Sequence, residues 1–407
     1  MSTPAEPEFV SNVGKLLYRS IEGDVQNSLH GRNLVVTGEV AHEGGAPFEA
    51  AIITGYETCR SVLRDDKAFS SHQAPFGHLV NPSFPGGAIA PGTILRYDDA
   101  AHQRLRAFVL GEFTARAAER DREFFRQIAN EALDALQSRS GVELVSAYAA
   151  RVPATVTCHL MGLPRAVWDD MIEWCFVVND LTIEVAARGR ADSYLRGVCD
   201  SLESSPVGLL GHMARLRQQA RLTLDEAVML SATLLVAGIE TTANAIGMAL
   251  QWLIANPRRA RELQEDCTTL EVVCEEFLRF QTVVRYGVAR VATSPVELCG
   301  RPFRAGTVVI PSLWHANRDT RFLEDGARLD IERPRSRHLS FGHGAHQCLG
   351  QHVARAEMRA ALHAFVERVE GASIVPESTT MRTSTVFGPK AMVVRWDSIA
   401  ARWSCTK

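Results

Sequence analysis

The segment Phe341-Gly342-His343-Gly344-Ala345-His346-Gln347-Cys348-Leu349-Gly350 constrains this chain more than any other. Two glycines break the chain ahead of one cysteine, and an amphipathic helical pattern, Leu349 to Val369, follows at once. Glycine adopts backbone conformations closed to other residues, so a tight and specific turn is expected here. Cys348 then stands at the mouth of a helix. A helix N-terminus stabilises negative charge, so a cysteine there is expected to favour the thiolate. The plainer alternative is a buried structural cysteine ahead of a helix.

The rest of the chain bounds the fold. Its 407 residues are 46% apolar and 22% charged, enough to bury a large core. With a net charge of −3, nothing in the charge balance suggests nucleic acid or an anionic membrane as a partner. Residues 1 to 10 are acidic, with two prolines and neither a basic nor an apolar leader region, so no signal peptide or anchor is expected. Nine cysteines without regular spacing argue against a disulfide framework and for a reducing cytoplasm. Val228 to Leu250 is apolar enough to mimic a membrane span, but Glu240 and Asn244 lie within it. Such groups are costly in hydrocarbon, so a helix buried through a large soluble protein is expected.

Helical periodicity dominates from Asp98 to Leu250, as in Ala101–Leu110, Arg122–Gln137 and Val167–Val177. Asn256-Pro257 ends the long buried helix, and a further helix covers Leu270 to Phe280. Short β-like runs occupy the first 70 residues and 283–311, and a last hairpin covers 373–396. Residues 70–95, rich in Pro and Gly, read as a long functional loop. The expectation is one α-rich domain, residues 1–407, with small β-sheets.

A thiolate aimed out of a rigid loop is what a haem iron needs as its fifth ligand. The cysteine segment resembles the haem-binding loop of the cytochrome P450 family, Phe-Gly-x-Gly-x-His-x-Cys-x-Gly, at every fixed position. The resemblance extends from about residue 98 to the end and implies the triangular, mostly helical P450 fold around haem b. It implies that Cys348 ligates the metal, that Phe341 packs beside the sulfur, that His346 reaches a propionate, and that Gly350 lets the helix approach the ring.

Three further motifs fall in family order. Glu276 and Arg279 lie at i, i+3 on one helix face and can pair. A surface ion pair is the ordinary reading of such a match, whereas the family buries it below the haem. Arg328 is the expected third partner, although Gly326-Ala327 and Leu329 depart from the usual surroundings. Ala237-Gly238-Ile239-Glu240-Thr241-Thr242 lies within the buried helix. There the resemblance implies that Gly238 leaves room for dioxygen, that Thr241 holds water through its hydroxyl, and that Glu240 relays protons. Alternatively Thr241 bonds back to the i−4 carbonyl and Glu240 pairs with a buried arginine. His102 and Arg106, one helical turn apart, resemble the family's HxxxR helix, and Arg290 matches a strand arginine; both groups would neutralise propionates.

The implied activity is insertion of one oxygen atom from dioxygen into a C–H or C=C of a small organic substrate in natural-product metabolism. Oxidative coupling on the same haem and non-catalytic gas binding are the alternatives. The Glu240-Thr241 pair favours catalysis over sensing. The bacterial type implied here takes electrons from a separate ferredoxin or flavodoxin with its reductase. His352, Arg355 and Arg359 form a basic set that could dock such a donor or simply face solvent. Substrate-lining candidates are Thr233, Ala237, Tyr286, Val288 and Phe387, with His72, Gln73, Phe76 and His78 on the long loop. Strand alternation turns Arg285 away from the cavity.

Overall fold

Strand β1 (Val35–Val40) pairs antiparallel with β2 (Phe48–Ile53), both rich in residues that suit a pleated surface. The computed structural model describes residues 35–40, 48–72, 92–137, 141–171, 173, 207–382 and 386–401. Helix α1 (Tyr56–Arg64) turns Tyr56, Cys59, Val62 and Leu63 inward, a helical stripe that covers the sheet. The sheet is completed by β3 (Phe69–Ser70), β5 (Arg290–Ala292) and β8 (Val308–Pro311) in the order β1-β2-β8-β5-β3, with β2 and β8 parallel.

The helical part follows the expected periodicity. Helix α2 (Asp99–Val109) buries His102, Leu105 and Val109. Helix α3 (Ala115–Arg120) leads into α4 (Arg122–Asp134), which buries Phe125, Ile128, Ala129, Ala132 and Leu133, one face of a 3.6-residue period. Strand β4 (Val142–Glu143) and helix α5 (Arg151–Met161) come next, then α6 (Gly208–Gln218). The apolar run forms α7 (Leu224–Ala255). Thr223 and Glu226 close its start reciprocally: the Glu226 amide donates to the Thr223 hydroxyl and the Thr223 amide to the Glu226 carboxylate. Pro257 then opens α8 (Pro257–Glu265) and ends α7. Helices α9 (Leu270–Gln281) and α10 (Leu313–Ala316) precede the cysteine turn, and α11 (Gln351–Arg368) follows it.

Helices α4, α5, α7, α9 and α11 bury one large core that includes Leu133, Val156, Leu250, Phe277, Leu362 and Phe365. Each such side chain stabilises the fold by roughly 1.5–3 kcal/mol. Helix α7 is the one described helix long and apolar enough to cross a membrane, and 67% of its most apolar window is buried in protein. It is a core helix of this fold.

Two expectations are refined. The C-terminal hairpin is divided: β11 (Thr380–Met381) with β12 (Pro389–Ala391) forms the tip ladder, and β10 (Ser373–Ile374) with β13 (Val393–Arg395) forms the base. β4, from the middle of the chain, extends that base. The helix expected over 167–177 starts with a 3-10 turn, Arg165–Val167, and its second half lies outside the described residues.

Glu357 on α11 is 1% exposed and hydrogen-bonds Thr242 of α7. Burial raises its carboxyl well above the ordinary value, against a smaller opposing pull from Thr242. The folded protein therefore holds a neutral acid that the unfolded chain would ionise. A raised pKa contributes fully below the unfolded value, and its contribution is lost as pH rises towards the folded one. Each pH unit in that window costs about 1.4 kcal/mol. Glu357→Gln, the neutral isostere, is expected to melt higher than the parent between about pH 6 and 8, with the gap widening as pH rises. Parallel melting curves for parent and variant would show that Glu357 ionises without cost.

Candidate active site

Positive backbone angles at Gly342 (φ 67°) and Gly344 (φ 76°) build the cysteine turn. A Cβ on residue 344 would lie 2.4 Å from the Leu63 carbonyl oxygen and 2.9 Å from the Arg64 Cα of α1, so only glycine fits. The Cys348 amide donates to the Phe341 carbonyl at 2.8 Å and closes the loop. Gly350 precedes the first residue of α11, with only Phe113, 4.0 Å away, near a Cβ built there. Cys348 is half-buried, and burial pushes its thiol up. That outweighs the Gly350 amide, Arg106 and Arg355, which all pull it down. The Gly350 amide at the start of α11 is thus one of three groups that favour the thiolate, set against the cost of burying an anion.

Glu276 and Arg279 form a buried pair, 3% and 0% exposed. Arg279 Nε and Nη2 donate to the two Glu276 oxygens, each at 2.7 Å. Its remaining donors reach the carbonyls of Asn317, Gly326 and Arg328 at 2.7, 2.6 and 2.8 Å. The expectation for Arg328 needs correction: its side chain is exposed and only its carbonyl takes part. The third partner is instead the guanidinium of Arg333, 3.5 Å from Glu276 and 12% exposed, and the Asp330 amide also donates to Glu276. Both arginines sit in an irregular stretch, where no periodicity assigns an inward side.

Thr233, Ala237 and Thr241 form the less buried stripe of α7, at i, i+4 and i+8, whereas Leu235, Ile239 and Thr242 are buried. The Thr241 hydroxyl donates to the Ala237 carbonyl at 2.7 Å, and Thr233 bonds back to Met229 in the same way. Glu240, 1% exposed, lies 3.8 Å from Arg382 of the C-terminal hairpin, a partner that no sequence pattern indicated. A Cβ on residue 238 would stand 2.9 Å from the Thr157 hydroxyl of α5. Gly238 therefore answers to helix packing, and the exposed position on the stripe is Ala237.

A buried basic cluster lies where α2, β5 and the cysteine turn meet. The His102 and His346 rings are 4.1 Å apart, and Arg106 donates to the Gln347 carbonyl at 2.8 Å. Arg290, 1% exposed, donates to the Val288 carbonyl, and burial pulls its guanidinium down to about 10. Burial, with His346 and Arg106 nearby, brings His102 down to about 4. The nearby anion is Asp98, 3.5 Å from His346. Burial opposes its ionisation, but His346, Ser70 and the amides of Ser71 and His72 hold it well below the usual carboxylate range. His346 Nδ1 is buried without a hydrogen-bond partner, and Nε2 has only the long contact with Asp98. An excess of buried cationic and imidazole groups over a single carboxylate calls for anions, and the two propionates of haem fit that demand. The half-buried thiol of Cys348 on the adjoining turn fits its iron.

Tyr286 bridges Ser312, and Tyr286 and Val288 are half-buried on the segment leading to Arg290. Phe387 carries the Arg285 guanidinium 3.4 Å from its ring centroid, so one of its faces is already covered. His72 is exposed; Gln73, Phe76 and His78 lie outside the described residues. The basic set on α11 is also corrected. Arg355 is half-buried and bonded to Glu275, and Arg359 lies 3.8 Å from Glu271. Arg355 is thus part of the interior rather than a free docking charge.

A family model described as Cytochrome P450 matches residues 156–390. Cytochrome P450 105A3 of Streptomyces carbophilus is 32% identical over 357 residues, covering 85% of this chain and 87% of its own length. Mycinamicin IV hydroxylase/epoxidase of Micromonospora griseorubida is 32% identical over 361 residues, covering 86% and 90%. Among solved structures, the mycinamicin VIII C21 methyl hydroxylase MycCI of the same organism, bound to mycinamicin VIII, superposes with a TM-score of 0.80 at 28% identity, over 92% of this chain and 96% of that one. Its likeness extends to the mainly helical architecture with small sheets described above. Sequence and architecture agree along most of the chain's length, and on that ground it belongs to the cytochrome P450 family of haem b monooxygenases.

Proposed function

We propose that the chain inserts one oxygen atom from dioxygen into a C–H or C=C bond of a medium-sized natural product, working as a single cytoplasmic domain supplied with electrons by a separate ferredoxin or flavodoxin and its reductase. The observation that carries this reading is the acid–alcohol pair on α7: Thr241 on the open stripe beside buried Glu240. The relatives' names, hydroxylase and epoxidase, support the reaction class.

When bound, haem b supplies the redox chemistry that activates dioxygen. Cys348 would ligate its iron, with Phe341 beside the sulfur. His102, Arg106, Arg290 and His346 would neutralise the propionates. Thr241 spends its proton on the Ala237 carbonyl and keeps its oxygen lone pairs open to a water on the stripe. Rotation away from Ala237 would let the same hydroxyl donate to that water. Glu240 can take a proton inward when its contact with Arg382 opens. Thr233, Ala237, Tyr286 and Val288 would wall the substrate space, with Phe387 at its side.

Thr241→Ala tests the assignment. A ligand is first found by the spectral shift it causes when it displaces water from the haem. The variant is expected to keep haem and this shift. Product per electron pair should fall by about tenfold or more, with hydrogen peroxide rising in its place. A gain of one oxygen atom in the product supports the reading, and a loss of two hydrogens would replace it with coupling. An unchanged product yield in the variant would remove Thr241 from the reaction.

A further inference from the structure

The two adjacent acids of α9 have different tasks. Glu276 serves Arg279, as described above. Glu275 faces the cysteine turn, and Arg355 of α11 grips it with two bonds, Nε to Oε1 at 2.6 Å and Nη2 to Oε2 at 3.1 Å. His338 Nε2, from the irregular chain that enters the turn, is 3.2 Å from the same carboxylate. The Ser340 amide donates to His338 Nδ1 at 3.3 Å, which leaves Nε2 as the protonated nitrogen facing Glu275. Both partners of Glu275 lie near one ring. The Arg355 guanidinium lies 4.3 Å from the Phe341 centroid, and the His338 ring lies 5.9 Å from it. Phe341 in turn accepts the Cys348 amide on its carbonyl. A bidentate guanidinium–carboxylate pair has a fixed plane, so Glu275 sets the plane that lies on Phe341.

We infer that Glu275 is a positioning residue for the thiolate ligand: by holding Arg355 and His338 against Phe341, it keeps the cysteine turn in the shape that iron ligation requires. One carboxylate thereby ties together three elements, α9, the chain entering the turn and the helix leaving it. Glu275 acts through Arg355 and the Phe341 ring. The inference rests on Cys348 being the iron ligand, so the experiment tests both separately.

The experiment uses the haem-loaded protein, reduced and bound to carbon monoxide, held well below its melting temperature. The readout is the rate at which the thiolate-ligated absorbance band converts to the thiol-ligated one. If the parent lacks the thiolate band, the ligand assignment fails first. If the parent shows it, Glu275→Gln is expected to convert about tenfold faster, the scale of losing one charge-assisted contact. Arg355→Met should do the same, and the double variant should be no faster than either single one. In a Phe341→Leu background Glu275→Gln should have little further effect. Conversion by Glu275→Gln at the parental rate, or an undiminished effect in the Phe341→Leu background, would overturn the inference. So would a faster conversion matched by an equal acceleration of global unfolding, since that would be general destabilisation. Should Glu275→Gln fail to load haem, Arg355→Lys supplies the same test, because it retains the charge and loses the two-pronged grip.

Discussion

Cys348→Ala is expected to abolish the absorbance of thiolate-ligated haem in the reduced, carbon-monoxide-bound protein, and turnover with it. Push from a thiolate favours O–O cleavage, and no neighbouring group can replace it. Among the described residues, Cys59, Cys158 and Cys274 are buried in apolar cores, which raises their thiols and keeps them inert. Cys267 and Cys299 are exposed at the surface. Of the described cysteines, only Cys348 adjoins the basic cluster through Arg106, which bonds the carbonyl of the residue before it. Haem that still enters the variant should be held by its propionates alone, with an altered spectrum. Retention of the parental band would assign the ligand to another cysteine and undo the central reading.

The second large effect is on stability. Glu276→Ala or Arg279→Ala removes one member of a fully buried pair and leaves the other charge uncompensated, at a cost of about 3–5 kcal/mol. Arg279→Ala also strands the carbonyls of Asn317, Gly326 and Arg328, which anchor the segment leading to the cysteine turn. Chemical unfolding should shift accordingly, and haem should be retained poorly after gel filtration. The geometry separates two further arginines. Arg333→Ala should destabilise because its guanidinium faces Glu276, whereas Arg328→Ala should lie within about 0.5 kcal/mol of the parent. Equal losses from the two would contradict the placement of Arg333.

These contrasts mark where the one-dimensional pattern stops. The helices announced themselves: the period over Arg122–Gln137 and the proline after Asn256 each depend on neighbours a few residues away. The cysteine turn was equally legible, since only glycine tolerates φ 67° and 76° at positions 342 and 344. Arg328 and Arg333 could not be told apart in the same way, because an irregular segment has no repeating face. Gly238 was assigned to a ligand when its neighbour is Thr157, far away in sequence. Arg355 looked like a solvent-facing charge, yet Glu275, 80 residues distant, draws it inward.

Residue order alone was enough to tell which segments are helical, that one long apolar helix runs through the core, and that one cysteine stands in a glycine turn with basic residues in a recognisable order. Those features follow from local backbone sterics and from the spacing of apolar side chains. Only the tertiary structure decided who pairs with whom: Arg333 with Glu276, Arg382 with Glu240, Arg355 with Glu275, and His346 with His102 and Asp98. The reason is the same in each case. Charge pairing and desolvation depend on distance and burial in space, and these are set by packing between segments that lie far apart along the chain.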